Sequence, residues 1–255
     1  MVFFFSGTGN SRFAAGRLSE ALGEDLRFIP ETHPEHTVFS GRHLGFVFPV
    51  YSWGVPPLVL DFIASLPEAF FEDAKRCAAK VWMVCTCGDE TALSPEMLAR
   101  ALESRGVRLE GAWSVIMPNN YVILPGFNTD PKDVEERKLR EAPARIDSIA
   151  AEIARGEMKT DVTVGSFARL KSRLVYPLFR RFGIFPSKWR WNDACLRCER
   201  CSLVCPTRNV RIAGGHPVWG KRCVSCLACY HNCPVHSVEY GNATHFKGQY
   251  VCPLK

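Results

Sequence analysis

A cysteine repeat near the end of the chain restricts the fold more than any other feature. The spacing Cys-x-x-Cys-x-x-Cys-x-x-x-Cys-Pro begins at Cys195 and occurs again, 28 residues later, at Cys223. Three thiolates on one short loop can reach three corners of a cubane [4Fe–4S] cluster, and in runs of this type the fourth cysteine binds the other cluster. The repeat therefore predicts two clusters in one small module.

The spacing assigns four thiolates to each cluster. The first set is Cys195, Cys198, Cys201 and Cys233, and the second set is Cys205, Cys223, Cys226 and Cys229. A zinc site would need separated Cys-x-x-Cys pairs or cysteine–histidine mixtures, and would leave the third cysteine and the proline of each copy unexplained. Twelve cysteines would suggest disulfides in a secreted chain, but the N-terminus has no basic leader and no signal-length apolar core. We therefore expect metal ligation in an anaerobic cytoplasm.

The first half of the chain alternates apolar runs with helical patterns. The whole chain has 255 residues and 47% apolar content, which allow one core of about 150 residues and a smaller module. The apolar runs are 2–5, 26–29, 44–50, 81–87 and 113–117, and the helical patterns are 13–22, 57–65, 95–105 and 131–156. This alternation predicts an α/β fold with a parallel sheet covered by helices on both faces.

Ligands of such sheets bind beyond the carboxyl ends of the strands, and three loops there are unusual. The first is the glycine-rich run from Ser6 to Ser11, whose N–H and hydroxyl groups could surround a phosphate at the start of a helix. It lacks the Gly-Lys-Ser/Thr ending of a Walker loop, and Arg12 replaces the third glycine of a dinucleotide fingerprint. The second loop places Tyr51 and Trp53 on a proline-bounded turn, where aromatic side chains can stack on a flat ring. The third follows the fourth strand, at Thr86-Cys87-Gly88-Asp89.

These three loops resemble those of the flavodoxin family over about 155 residues. The resemblance implies a doubly wound five-stranded sheet of order 2-1-3-4-5 that holds flavin mononucleotide (FMN), with its phosphate in the first loop and its isoalloxazine ring between the other two. It implies flavin contacts from Ser6, Gly7, Thr8, Gly9, Asn10, Ser11, Tyr51, Ser52, Trp53, Gly54, Thr86, Cys87, Gly88, Asp89 and Tyr121.

The cysteine repeat resembles bacterial-type ferredoxins with two [4Fe–4S] clusters, from about Asn192 to Tyr240. The whole chain therefore resembles a flavodoxin–ferredoxin fusion. The expected organisation is a flavodoxin-like FMN-binding domain at 1–156, a basic connecting segment at 157–190, and a small α+β ferredoxin-like two-cluster domain with a C-terminal tail at 191–255.

Charge is distributed unevenly along the chain. Residues 1–155 contain 16 Lys and Arg against 21 Asp and Glu, whereas residues 156–255 contain 16 against 5. The basic half predicts a redox partner with an acidic docking face. In the connecting segment an apolar helical face, formed by Phe167, Leu170, Leu174, Leu178 and Phe182, lies opposite several arginines. Such a helix can lie on an anionic membrane, although packing of this face between the two modules is the favoured interpretation.

The combined cofactors predict a function in electron transfer. A flavin accepts two electrons and can release them singly, and each cluster carries one, so the chain is expected to exchange electrons with protein redox partners. The alternative is a flavin-dependent reductase of a small substrate fed through the clusters, with Tyr51, Trp53, Asp89 and Tyr121 lining its pocket. Nucleic acid is not expected as a partner, because the clusters already account for the region with basic and aromatic residues.

Overall fold

The structure is a computed structural model and describes residues 1–182 and 185–254. A six-stranded parallel sheet forms the centre of the first half, in the order β2-β1-β3-β4-β5-β6. Its strands are β1 (Val2–Phe4), β2 (Leu26–Phe28), β3 (His43–Pro49), β4 (Lys80–Cys87), β5 (Gly111–Ile116) and β6 (Thr160–Asp161). The expected α/β fold with a parallel sheet is therefore present.

Five helices cover the two faces of this sheet. They are α1 (Asn10–Leu22), α2 (Pro57–Ser65), α3 (Glu68–Arg76), α4 (Ser94–Glu103) and α5 (Lys132–Ala154). Side chains alternate across a strand, so Val2 and Phe4 pack on the layer with α1 and α5, whereas Phe3 and Phe5 pack on the layer with α2, α3 and α4. Both faces of β1 are buried, as expected for a central parallel strand.

Two parts of the first half differ from the sequence-based prediction. The predicted five-stranded sheet was wrong by one strand, because Thr160 and Asp161 pair with Ala112 and Trp113 at the sheet edge. This two-residue strand is polar and too short to show a periodic pattern. Helix α3 was also not predicted, although its Phe70 and Phe71 are fully buried. Pro67 precedes α3 directly.

The sequence repeat is also a repeat in backbone structure. The second half contains β7 (Trp189–Trp191), α8 (Arg200–Leu203), β8 (Val210–Ala213), β9 (His216–Trp219), α9 (Ala228–His231) and β10 (Val238–Tyr240). The one-turn helices α8 and α9 begin 28 residues apart, as the cysteines do. Strand β7 pairs with β10 and β8 pairs with β9, both antiparallel, so each small sheet joins one strand from each copy.

A further helical segment connects the two halves. This linker helix, residues 168–182, consists of α6 (Ala168–Leu170), a π-helical turn (Lys171–Val175) and α7 (Tyr176–Phe182). The π turn lies directly before Pro177, which has no N–H to complete the regular α-helical hydrogen bonding. Short 3₁₀ turns occur at Ile29–Glu31, Pro34–His36 and Pro186–Lys188. Within the described residues, the helices are all too short or too polar to cross a membrane.

Candidate cofactor sites

The three loops singled out in the sequence meet around one cavity at the carboxyl edge of the sheet. The cavity has a volume of about 210 Å³. Twelve of the residues predicted to contact a flavin line it: Ser6, Gly7, Thr8, Asn10, Ser11, Tyr51, Ser52, Trp53, Cys87, Gly88, Asp89 and Tyr121. The remaining three, Gly9, Gly54 and Thr86, belong to the same loops but lie outside the cavity wall.

The first loop leads directly into the N-terminus of α1. Gly9 is the N-cap with φ of +104°, and its N–H donates to the Ser6 hydroxyl at 3.1 Å. The first turn of α1 contains no acidic residue, and the N–H groups of a first helical turn have no partner within the helix. The start of α1 therefore has the features of an anion-binding site at one end of the cavity.

Side chains of the first loop also fasten it to the rest of the protein. Ser11 shares a hydrogen bond with Thr86 at 2.7 Å, and the Asn10 amide donates to the Pro118 carbonyl at 3.0 Å. Asn120 donates from its amide to the Thr8 hydroxyl. The Ser6 and Thr8 hydroxyls accept in these contacts and keep their O–H donors, so they and the backbone N–H groups are the donors that the loop can offer to a phosphate.

The second loop is a tight two-residue turn. Tyr51 and Gly54 exchange two backbone hydrogen bonds of 2.9 Å, and Ser52 and Trp53 between them both have positive φ. This is the geometry of a type I′ turn, which glycine or asparagine usually occupies. A Cβ on Gly54 would come within 2.4 Å of the Tyr176 ring of the linker helix, so the turn accepts no side chain there.

Aromatic rings form much of the cavity wall. Phe127 stands edge-on to both Trp53 and Tyr121, at centroid distances of 6.5 and 5.6 Å. Phe179 of the linker helix stands edge-on to Tyr51 at 6.4 Å. Sequence reasoning missed both: Phe127 lies far along the loop after β5, and Phe179 lies in the linker helix outside the sheet. The wall suits a flat aromatic ligand.

Charged residues form hydrogen bonds and ion pairs with the residues of the cavity wall. The Trp53 indole donates to Glu90 at 2.6 Å, and Lys171 of the linker helix forms an ion pair with the same carboxylate. The Lys138 ammonium, which is buried, donates to the Gly88 carbonyl at 2.8 Å. Burial raises the pKa of Cys87 to about 12, so its thiol in the cavity wall is neutral near pH 7.

The two cysteine loops share an unusual backbone conformation. Positive φ angles occur at Arg197 and Glu199 in the first copy and, 28 residues later, at Ser225 and Leu227 in the second. The paired angles agree within 3°, being 56° and 53°, then 58° and 60°. Non-glycine residues adopt this conformation at a cost, and it persists only where the surroundings enforce it.

The eight cysteines of the repeat form two groups that cross between the copies. Cys195, Cys198, Cys201 and Cys233 surround one small cavity. Burial, with smaller contributions from the Cys233 and Cys195 thiols, raises the pKa of Cys201 to about 11.

The second group contains the remaining four thiols of the repeat. Burial, and then the neighbouring thiols of Cys223 and Cys205, raise the pKa of Cys226 to about 12, and the same neighbours act on Cys229. Cys205 thus lies near Cys223, Cys226 and Cys229, the three thiols with which the spacing groups it.

Metal ligation by these thiols stays a prediction. Across residues 1–182 and 185–254, no group of three or more His, Cys, Asp or Glu side chains is positioned to hold a metal ion. Backbone donors nevertheless point at the sulfur of the fourth cysteine in each copy. The N–H of Asn209 donates to Cys205, and the N–H of Ser237 donates to Cys233, both at 3.2 Å.

The second cysteine group lies against the aromatic cavity. Ser225, Cys226 and Leu227 form part of the cavity wall. A Cβ on Gly7 would stand 2.3 Å from the Cys226 carbonyl oxygen, so the two loops touch through their backbones. Burial raises the pKa of Tyr51, and the Cys226 and Cys223 thiols raise it further. These contacts join residues more than 170 positions apart, which no local pattern could reveal.

His231 and the C-terminal tail hold this junction together. The N–H of Tyr250 donates to His231 Nδ1 at 3.1 Å, so the proton on Nε2 is donated to the Asn120 carbonyl at 2.6 Å. Burial lowers the pKa of His231 to about 4, which keeps the ring neutral. The Tyr250 hydroxyl donates to Asn10 at 2.6 Å, and the N–H of Cys252 donates to the Thr8 carbonyl at 2.8 Å.

Comparison with known proteins gives little guidance. No protein-family model matches this chain, and the comparison with curated proteins found no match. One solved structure with some likeness is described as that of a "Putative flavoprotein" from Bacteroides uniformis ATCC 8492. It is 16% identical, with a TM-score of 0.34, and the match covers 45% of this chain and 88% of that chain. The proposals below therefore rest on the residues described above.

The contact between Gly7 and Cys226 predicts that an alanine will not fit. We expect Gly7→Ala to destabilise the protein by about 1–3 kcal/mol, because the added methyl group overlaps the Cys226 carbonyl. Gly16→Ala is the matched control, since nothing lies within 4 Å of a Cβ at that position of α1. It should gain roughly 0.5–1 kcal/mol from helix propensity. Urea unfolding without oxygen measures both, and equal stabilities would contradict the close approach.

Proposed function

We propose that this protein transfers electrons between one FMN and two [4Fe–4S] clusters and exchanges them with other redox proteins. One observation carries the proposal: the loop with Cys226 forms part of the wall of the aromatic cavity and touches the first loop at Gly7. A flavin in the cavity and a cluster on the second cysteine group would then be in near contact. Such a junction serves electron exchange directly.

The cavity offers complementary groups to each part of FMN. The N–H groups at the start of α1 would hold the phosphate, where a helix N-terminus favours negative charge. Tyr51, Trp53 and Tyr121 would pack on the isoalloxazine ring. The neutral thiol of Cys87 and the backbone around Gly88 would border the ring without adding charge.

Each thiol group would hold one cubane cluster, in which each thiolate binds a different iron. The hydrogen bonds from Asn209 to Cys205 and from Ser237 to Cys233 would stabilise thiolate charge. Burial raises the pKa of the Cys229 thiol, but the buried indole N–H of Trp219 lies beside it and acts to lower that pKa, so it would also stabilise a thiolate there.

The proposed cofactors would supply complementary redox chemistry. A flavin takes up two electrons and releases them one at a time, whereas each cluster carries one. The chain's own residues would fix the distance between them and exclude water. Tyr51 contributes to both tasks, since it lines the cavity, is half-buried, and lies near the thiols of Cys223 and Cys226.

A cofactor count and a reductive titration test this proposal. Protein purified without oxygen should contain about eight irons, eight acid-labile sulfides and one FMN per chain. It should take up about four electrons, two for the flavin and one for each cluster. Zinc in place of iron, or a flavin that cannot be reoxidised by the clusters, would overturn the proposal.

Paired cysteine variants test how the thiols are divided between clusters. We expect Cys201→Ala/Cys233→Ala to retain about four irons, because both residues belong to the first group. The matched variant Cys201→Ala/Cys205→Ala removes one ligand from each group and should lose nearly all iron. Iron analysis and the electron paramagnetic resonance of the reduced protein measure both. Equal iron contents in the two variants would disprove the crossed grouping.

The aromatic wall predicts a specific loss of flavin affinity. We expect Trp53→Leu to weaken FMN binding at least about tenfold, because it removes both ring packing and the indole bond that orients Glu90. Phe246→Leu, at an exposed position outside the cavity, should bind normally. Quenching of FMN fluorescence during titration of flavin-free protein measures the affinity. An unchanged affinity in Trp53→Leu would place the flavin elsewhere.

A second candidate function is the reduction of a small apolar substrate. A groove of about 670 Å³ adjoins the cavity, and the two share Ser52, Tyr121, Leu124 and Phe179. A substrate in this groove would approach the flavin past Ser52 and Tyr121, which line both spaces. Steady-state turnover of a soluble quinone by the reduced protein tests this candidate. Turnover that is rapid and lost in Trp53→Leu would favour a reductase over a carrier.

A further inference from the structure

The linker helix is held in one rotational orientation by its buried face. The Ser172 hydroxyl donates to the Trp53 carbonyl at 2.8 Å and accepts from the N–H of Leu93 at 3.0 Å. The Tyr176 hydroxyl donates to the Val55 carbonyl, and Phe179 packs on Tyr51. All of these contacts lie on one side of the helix, so the opposite side faces away from the protein.

That opposite side is apolar. It contains Phe167, Leu170, Leu174 and Leu178, whose side chains are 50–76% exposed. We call these four residues the outer stripe. Their exposure contradicts the favoured sequence interpretation, in which this face packs between the two modules, and the side chain of Phe182 lies outside the described part of the structure. Large apolar side chains in an exposed row indicate an interaction surface.

The apolar surface continues beyond the helix. Leu178 also lines the groove beside the proposed flavin cavity, together with the exposed Leu124 and Phe185. The outer stripe and the mouth of the groove therefore form one surface. Any partner that covers the stripe lies beside the entrance to the groove.

The segment that contains the outer stripe has charged residues of one sign only. Between Asp161 and Asp193 the chain has no acidic residue and seven Lys or Arg. Arg169, Arg173 and Arg180 are exposed on the linker helix beside the stripe. A second copy of this chain would set the same cations against each other in a two-fold interface. An anionic surface that accepts apolar side chains matches both properties.

We propose that the outer stripe and its arginines dock this protein on the surface of an anionic phospholipid bilayer. The linker helix would lie in the plane of the headgroups, with its leucines and Phe167 entering the boundary of the acyl chains. The arginines would contact lipid phosphates, since long cationic side chains reach the headgroups while their stems cover apolar surface. The groove would open toward the lipid. The inference does not depend on which cofactors are bound.

Vesicle flotation tests this docking. The full-length protein, purified without oxygen, is mixed with vesicles of phosphatidylglycerol and phosphatidylcholine, or of phosphatidylcholine alone. We expect flotation with the anionic vesicles at low ionic strength, with much weaker flotation on neutral vesicles and at high ionic strength. Absence of flotation with the anionic vesicles would overturn the proposal, as would equal binding to both vesicle types.

Two sets of matched variants locate the binding surface. Leu170→Ser/Leu174→Ser/Leu178→Ser should weaken binding roughly tenfold or more, since each change removes apolar surface that enters the bilayer. The control replaces three exposed apolar residues elsewhere and should bind normally: Leu26→Ser/Val38→Ser/Val218→Ser. All of these positions are exposed, so the fold should tolerate the changes. Normal binding by the leucine variant would overturn the proposal.

The arginine contribution has its own control. Arg169→Gln/Arg173→Gln/Arg180→Gln should weaken binding roughly a hundredfold, because the contact of each arginine with a lipid phosphate contributes a factor of about ten or less to the affinity. Arg108→Gln/Arg137→Gln/Arg140→Gln removes the same charge from exposed positions of the first domain and should have a small effect. Equal losses in the two variants would mean that net charge alone governs binding, which would contradict docking through the linker helix. Sedimentation of the wild type as a dimer that the leucine variant abolishes would assign the stripe to a second copy instead.

Discussion

The backbone contact between Gly7 and Cys226 governs the arrangement of the whole molecule. The first loop of the sheet and the second cysteine loop approach so closely that a single Cβ would not fit between them. The first loop is fastened by the hydrogen bonds of Ser11 to Thr86 and of Asn10 to Pro118, and the second has a left-handed residue on either side of Cys226. The contact between them therefore places the second thiol group against the aromatic cavity.

Long-range hydrogen bonds stabilise the contact between Gly7 and Cys226. His231 connects α9 to the loop after β5, while Tyr250 and Cys252 return the C-terminal tail to the start of α1. The linker helix adds a third attachment, with the Tyr176 ring resting on Gly54. The second half of the chain therefore contacts the first and second loops of the cavity and the loop after β5. An unpaired buried group at any of these attachments would be costly, which favours a single relative position of the modules.

The linker helix has two faces with separate roles. Ser172, Tyr176 and Phe179 serve the cavity, and the outer stripe remains available to a partner. The sequence shows the apolar stripe clearly, but the face that packs is a mixed one, held by two hydroxyl groups and one aromatic ring. Hydrophobic periodicity depends on apolar residues alone and does not register a hydroxyl group that donates to a buried carbonyl. The sequence therefore assigned the packed face of the linker helix wrongly.

The sequence by itself determined the features that depend on residues close together in the chain. The cysteine repeat, the glycine-rich first loop and the turn at Tyr51 each lie within about a dozen residues, and local backbone geometry follows from such runs. The alternation of strands and helices likewise predicted a parallel α/β sheet, apart from the two-residue strand β6 and helix α3. Only the tertiary structure decided that Phe127, Phe179 and the Cys226 loop complete the cavity, and that the outer stripe stays exposed. The physical reason is that these outcomes depend on close packing and buried hydrogen bonds between residues far apart in the chain, which the pattern of any single segment does not encode.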